Sequence, residues 1–286
     1  MSIRDKYSAV WVSHSSMGDF LKCPRAYYLH NVYKNPKTGR KINIVSPALS
    51  LGSAVHEVVE GLADFKVEDR LEKITKESLL GALENAWKRV SGKKGGFTSE
   101  TEEKEMKERA REMIARVAHH PEPLLHKTVK VKNGQNDMPP NFFLSDTDNI
   151  ILCGKIDWLI YKPEDDSIHI LDFKTGKHEE KEESLQLPIY QLLLKNLQKR
   201  KVSGASYWYF DKDDAPIEVA LPNEKESFEK VFAVAKKVSD ARAQGIFLCP
   251  RGEEGCYACR PFEKIIRGEA ECVGVGEMRQ DLYIVS

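Results

Sequence analysis

The chain has 286 residues, and its 44 Lys and Arg residues balance 44 Asp and Glu residues. This balance argues against binding of nucleic acid through overall charge alone, although it is compatible with a local basic groove. Hydrophobic residues make up 41% of the chain, and no apolar run approaches the ~18 residues of a membrane span. Since the N-terminus also lacks a signal-peptide core, we predict a globular, cytoplasmic protein without membrane partners.

The first predicted helix covers the segment MGDFLKCPRAYYLHNVY, with Ser15 or Ser16 as its N-cap. Pro24 should break this helix directly after Cys23, and a second helical turn should follow the break. The cysteine would then be held at a fixed corner of the chain.

An arginine and several tyrosines follow that break. Arg25, Tyr27, Tyr28 and Tyr33 could line a strand-binding surface through phosphate contacts and base stacking. The alternative is that the tyrosines are core residues beside one solvated arginine. The strand-binding interpretation favours single-stranded DNA as a substrate.

A second helix is predicted from Ala54 to Leu62, where apolar residues recur at helical spacing. Gly52 allows a close backbone approach just before this helix. His56 lies in its first turns and is a candidate metal ligand. A single histidine in a helix is also common without any metal, so this assignment depends on what lies next to it.

The segment from about residue 65 to 120 is interpreted as a helical insertion. Its two predicted helices cover LEKITKESLLGALENAWKRV and TEEKEMKERAREMIARVAHH, and alternating charges indicate a solvated face. Val129–Val131 then resembles a short strand, and the polar segment NGQNDMPPN is predicted as a loop.

A β-hairpin is predicted next, from the runs Ile150–Tyr161 and Ile168–Lys174 on either side of a turn-forming segment. The period of two places Asp172 and Lys174 on one face of the second run. The hairpin could bring Asp157 close to this pair and so form a site for a divalent cation beside a lysine. Alternatively, the acids are charges on an edge strand.

Gln186 and Tyr190 lie four residues apart in the next predicted helix, so they share a face that could point at this site. Alternatively, they are ordinary polar residues at an interface. Pro188 predicts a local kink in the helix. A strand, its hairpin partner and an amphipathic helix are predicted after it, over ASYWYF, PIEVAL and SFEKVFAVAKKVSDARAQG.

The C-terminal part, about residues 245–272, is rich in cysteine. Cys256 and Cys259 form a Cys-x2-Cys knuckle, Cys249 precedes it, and Cys272 follows at a distance. In a cytoplasmic protein such cysteines are more often thiols or metal ligands than disulfides. The spacing suits a thiolate cluster, for which Cys23 is the candidate ligand from far away in the sequence.

Taken in order, these motifs resemble the PD-(D/E)xK nuclease superfamily. Within it the chain is most similar to the RecB-like exonuclease branch, which includes CRISPR-associated adaptation nucleases and AddB-type repair nucleases with an iron–sulfur cluster. The motifs that carry the resemblance are Phe20–Arg25, Gly52–Glu57, Gly154–Asp157, Asp172–Lys174, Gln186 with Tyr190, and the cysteine tail.

The resemblance implies four ligands for a Mg²⁺ or Mn²⁺ ion: His56, Asp157, Asp172 and the carbonyl oxygen of Phe173. Lys174 would position and help to activate the attacking water. Gln186 and Tyr190 would support the site and contact the nucleic acid.

The resemblance also implies a 4Fe–4S cluster with a structural role, held by Cys23, Cys249, Cys256 and Cys259, with zinc as the less favoured occupant. The sequence departs from the family pattern here, because relatives often carry a third tail cysteine where this chain has Ile265. Cys249 supplies the missing ligand in this interpretation, and Cys272 is the alternative.

We therefore predict one α/β domain over residues 1–286, with a restriction-endonuclease-like mixed central sheet flanked by helices. The predicted function is metal-dependent hydrolysis of DNA by a single-strand exonuclease, in DNA repair, recombination or CRISPR spacer processing. Its partners would be DNA with single-stranded or frayed ends and a repair or CRISPR adaptation protein. The alternatives are a non-catalytic DNA-binding or assembly subunit with the same fold, and a zinc-knuckle protein with an incidental acidic hairpin.

Overall fold

The computed structural model describes residues 5–131 and 138–285. Within these residues the α-helices are α1 (His14–Lys22), α2 (Pro24–Tyr27), α3 (Pro47–Gly61), α4 (Val67–Lys73), α5 (Lys76–Trp87), α6 (Glu100–His119), α7 (Gln186–Leu197), α8 (Glu224–Gln244) and α9 (Arg260–Ile266). The strands are β1 (Val10–Val12), β2 (Ile42–Ile44), β3 (Asn141–Ser145), β4 (Ile150–Cys153), β5 (Trp158–Lys162), β6 (Ser167–Lys174), β7 (Val202–Tyr209), β8 (Ile217–Val219), β9 (Glu271–Val275) and β10 (Asp281–Ile284).

The central sheet has the strand order β5-β6-β7-β8 and is mixed. The predicted hairpin is present as the antiparallel pair β5–β6, in which Trp158 faces Leu171 and Lys162 faces Ser167. Strand β7 runs parallel to β6 because α7 forms the crossover between them. Strand β8 pairs antiparallel with β7, as predicted from the segment PIEVAL. The α/β fold class is confirmed.

Helices cover both faces of this sheet. Along β6, Ile168 and Ile170 belong to the core shared with α7 and α8, whereas Leu171 and Phe173 belong to the core shared with α3, α5 and α6. The alternation of a strand thus divides the apolar side chains between two layers. It also turns Asp172 towards the side of α7.

The predicted run Ile150–Tyr161 is not one strand. It divides into β4, which lies between β1 and β3, and β5, which belongs to the central sheet. The linker Gly154–Asp157 packs closely against α7, since a Cβ atom on Gly154 would lie 3.1 Å from Leu193 Cδ1. The chain changes sheets here, so the period of two does not continue through the linker. Asp157 therefore stands directly before a strand rather than within one.

Several predicted helix boundaries were wrong. Ser13, not Ser15 or Ser16, caps α1, through a reciprocal pair of hydrogen bonds with Ser16. The break after Cys23 is present as predicted. Pro188 lies in the first turn of α7, where its missing N–H removes no intrahelical hydrogen bond, and so there is no need for a kink.

The region from residue 65 to 131 also differs in detail from the prediction. The first predicted helix divides into α4 and α5, and Thr75 caps α5. Val129–Val131 is not a strand, although the Val129 N–H donates to Leu159 O of β5. The loop predicted over NGQNDMPPN falls largely on residues 132–137, which lie outside the described residues.

A further small sheet, in the order β2-β10-β9, joins the N-terminal and C-terminal parts of the chain. Ile42 pairs in parallel with Asp281, and β10 pairs antiparallel with β9, where Cys272 is exposed. Across residues 5–131 and 138–285, no helix combines the length and the apolar character needed to cross a membrane.

Candidate functional site

Two carboxylates meet where the central hairpin approaches α7. Asp157, directly before β5, accepts a hydrogen bond at Oδ2 from the Phe173 N–H of β6 at 3.0 Å. Asp172 projects from β6 with only 1% of its surface exposed. Its Oδ1 accepts hydrogen bonds from Gln186 Nε2 at 2.9 Å and from the Tyr190 hydroxyl at 3.1 Å. The face shared by Gln186 and Tyr190 thus points at the carboxylates.

His56 reaches the same site from α3. Its Nδ1 lies 3.1 Å from Glu60 Oε1, one helical turn further on, and 3.6 Å from Asp157 Oδ2. A ligand atom from each of these three residues lies within 4.8 Å of the other two. Glu60 was not among the predicted site residues, although its spacing of four from His56 places both on one helix face.

Lys174 completes the site from the end of β6. Its ammonium donates a hydrogen bond to Gln186 Oε1 and lies 2.8 Å from both Asp172 Oδ2 and Glu180 Oε2. The Tyr207 ring centroid is 4.9 Å from the same nitrogen. Glu180 was also absent from the sequence analysis, because it comes from the irregular loop between β6 and α7.

The closeness of these charges shifts several pKa values. Burial and the neighbouring Asp172 raise the pKa of Asp157 to about 7. Burial alone would lower the pKa of Lys174, but the carboxylates of Asp172 and Glu180 raise it, so the ammonium stays charged. Burial and Asp172 also hold the pKa of Tyr190 well above its usual range, so its hydroxyl remains a donor.

Replacing Asp157 by asparagine should stabilise the metal-free protein at high pH. The folded-state pKa of about 7 is above the usual 3.8, so ionisation of Asp157 destabilises the fold progressively as pH rises between these values. Asparagine cannot ionise and its amide oxygen can still accept the Phe173 N–H. In EDTA we expect the melting temperature of Asp157→Asn to exceed that of the parent by at least about 3 °C at pH 8.

This advantage should largely vanish by pH 4, where Asp157 is protonated in the folded state and its usual pKa of 3.8 leaves it close to half protonated in the unfolded state. Thermal melts between pH 4 and pH 8 measure it, with Glu164→Gln, an exposed acid in the hairpin turn, as the control. An equal or lower melting temperature for Asp157→Asn at pH 8 would contradict the interpretation.

The donor set fits a hard divalent cation. Asp172 Oδ2 is buried, and its close partner is the Lys174 ammonium at 2.8 Å. Two neighbouring carboxylates and an imidazole offer the oxygen and nitrogen ligands that Mg²⁺ or Mn²⁺ accepts. The predicted ligand role of the Phe173 carbonyl stays a prediction.

The structure also brings four predicted cluster residues together: Cys23, Cys249, Cys256 and Cys259. All four are buried, and their sulfur atoms lie within 4.8 Å of one another. Cys272 is exposed on β9 and does not belong to this group. These four cysteines bring the turn between α1 and α2 next to the segment that precedes α9.

The proposed strand-binding surface near the N-terminus was largely wrong. Tyr27 is a core residue with 1% of its surface exposed. Arg25 is bound by the cysteine-rich segment, because its guanidinium donates to Glu263 Oε1 at 2.9 Å and to the Gly252 and Glu253 carbonyl oxygens. Among the three tyrosines of this predicted surface, only Tyr28 and Tyr33 keep partial exposure. The aromatic argument for single-stranded DNA is correspondingly weak.

Comparison with known families identifies the class of protein. A model of the PD-(D/E)XK nuclease superfamily matches residues 11–262. The chain therefore belongs to the PD-(D/E)XK nuclease superfamily, which confirms that prediction.

The chain is also similar to the crystal structure of a proposed exonuclease from Eubacterium rectale. The two share 16% sequence identity with a TM-score of 0.48, over 91% of this chain and 92% of the other. No curated protein matches the sequence.

Proposed function

We propose that this protein is a metal-dependent DNA nuclease that hydrolyses phosphodiester bonds. The observation that carries the proposal is the approach of two pairs across the hairpin: Asp157 accepts from the Phe173 N–H and faces His56, while Asp172, the residue before Phe173, pairs with Lys174. Membership of a nuclease superfamily supports hydrolysis of nucleic acid. A subunit without catalytic activity would not need a second buried carboxylate next to Asp172, since that arrangement is costly.

In this proposal, Asp157, Asp172 and His56 hold the cation, with Mg²⁺ or Mn²⁺ as the ion and the Phe173 carbonyl as a further ligand. When bound there, the cation would supply Lewis-acid chemistry: polarisation of the scissile phosphate and a lower pKa for a water molecule. Lys174 remains protonated, so it orients the water and stabilises negative charge on the phosphate oxygens. Gln186 orients both Asp172 and the ammonium, because its amide bonds to each.

We propose exonucleolytic cleavage of single-stranded or frayed DNA ends as the specific activity, in repair, recombination or CRISPR spacer processing. The resemblance to RecB-like nucleases supports this choice. The protein partner would then be a repair or CRISPR adaptation protein.

The test compares labelled linear DNA with circular single-stranded DNA of the same sequence, in Mn²⁺, in Mg²⁺ and in EDTA. We expect metal-dependent loss of the linear strands, EDTA to abolish it, and the circles to survive. Asp157→Asn purified in parallel should be inactive, which excludes a contaminating nuclease. Equal degradation by the parent and this variant, or none by either, would overturn the nuclease proposal, whereas cleavage of the circles would overturn only its exonuclease part.

For the four-cysteine group we propose a single zinc ion, in place of the four-iron cluster that the resemblance implies. Cys259 Sγ lies 3.8 Å from Cys249 Sγ and 3.9 Å from Cys256 Sγ. Thiolates about 2.3 Å from a tetrahedral Zn²⁺ are separated by about 3.8 Å, so one ion fits this spacing. A four-iron cluster is larger and would need the sulfur atoms to move apart. Either centre would be structural.

A further inference from the structure

Three side-chain oxygens surround the ammonium of Lys174. Gln186 Oε1 accepts a hydrogen bond from it, and Asp172 Oδ2 and Glu180 Oε2 each lie 2.8 Å from Nζ. An ammonium has three N–H groups, so these three oxygens occupy all of its hydrogen-bond donors. A phosphate that contacts Lys174 must therefore replace one of them.

Glu180 is the partner that can leave. Asp172 is fixed within β6, and Gln186 begins α7 and also bonds to Asp172. Glu180, in contrast, lies in the irregular segment 175–185, and 22% of its side chain is exposed. Its backbone N–H donates to the Tyr209 hydroxyl at 2.9 Å, which holds the loop but leaves the carboxylate free to rotate.

Hydrogen-bond donors face the carboxylate of Glu180. Burial would raise the pKa of Glu180, but hydrogen bonds from Lys174 and Ser184 lower it, and the charge of His14 acts in the same direction. A phosphate oxygen would meet the same ammonium and hydroxyl. While Glu180 stays in place, its negative charge repels that phosphate.

There is space for the displaced side chain. A cavity of about 540 Å³ adjoins the loop, and Glu180, Ser184 and Tyr207 are among its lining residues. The carboxylate can therefore leave Lys174 without unfolding β6 or α7.

We infer that Glu180 occupies the position of a DNA phosphate on Lys174, and that bound DNA displaces it. This inference rests on the proposed nuclease function. It assigns a phosphate subsite formed by Lys174 and Ser184, beside the carboxylates that would hold the metal ion.

The experiment measures binding of a fluorescent single-stranded oligonucleotide in Ca²⁺, to limit cleavage, and steady-state cleavage in Mn²⁺. Glu180→Gln should lower Kd and KM by about fivefold to tenfold, because it removes the competing charge, and should leave kcat within about threefold. Glu182→Gln is the matched control, since Glu182 is an exposed acid of the same loop. It should change either constant by less than about twofold.

Equal effects of the two substitutions would overturn the inference, because loop charge alone would then explain tighter binding. Unchanged or weaker binding by Glu180→Gln would also overturn it. A fall in kcat with KM unchanged would instead make Glu180 a positioning residue for Lys174. If the parent neither binds nor cleaves DNA, the nuclease proposal itself fails, which separates the two failures.

Discussion

Replacing Asp172 by asparagine is expected to reduce Mn²⁺-dependent DNA cleavage by about a thousandfold or more, which corresponds to about 4 kcal/mol of transition-state stabilisation. The amide oxygen can still accept from Gln186 and Tyr190, so the local packing should survive. The variant lacks the negative charge that would bind the cation and face the Lys174 ammonium. The loss should therefore appear in both metal affinity and kcat.

Rates of cleavage and a Mn²⁺ titration followed by electron paramagnetic resonance measure these effects. Glu164→Gln removes an acid from the turn at the other end of the same hairpin and should behave like the parent. Parent-like cleavage by Asp172→Asn would place the chemistry elsewhere. Lost cleavage with full metal affinity would restrict Asp172 to orienting Lys174.

Replacing Cys259 by serine is expected to lower the melting temperature by about 10 °C or more, from a loss of about 4 kcal/mol. Cys259 is fully buried, and its sulfur accepts a hydrogen bond from the Cys256 N–H at 3.1 Å. Removal of one thiolate would disrupt the four-cysteine metal centre. This centre holds the turn between α1 and α2 against the cysteine-rich segment. Cys272→Ser changes an exposed cysteine outside the group and should leave the melting temperature unchanged.

Metal analysis of the same samples identifies the occupant. One equivalent of zinc in colourless protein is expected, and it should be lost in Cys259→Ser but kept in Cys272→Ser. Brown protein with iron and acid-labile sulfide would overturn zinc in favour of the four-iron cluster. Equal melting temperatures for the two variants would show that the centre contributes little to stability.

Much of the site followed from local periodicity. The period of two in β6 placed Asp172 and Lys174 together, and the spacing of four in α7 placed Gln186 and Tyr190 on one face. The hairpin then accounts for the approach of Asp157. The structure brings these residues together, while their catalytic roles stay predictions.

Other features depended on the path of the chain in space. Glu180 lies among similar acids at 179, 182 and 183, and only the course of the loop decides which one reaches Lys174. Strands β1, β2, β9 and β10 have three to five residues each, too few for a recognisable alternation. The division of Ile150–Tyr161 between two sheets could not be predicted from the sequence, because both halves are apolar.

The pairing of β2 with β10 has a consequence for synthesis of the protein. Ile42 cannot pair with Asp281 until residue 281 has left the ribosome, and Cys23 likewise waits for the cysteines after residue 248. Contacts of such long sequence separation form slowly. The residues of the proposed nuclease site are all translated earlier, so a nascent chain holds them in an incomplete fold until β10 and the tail cysteines have been made.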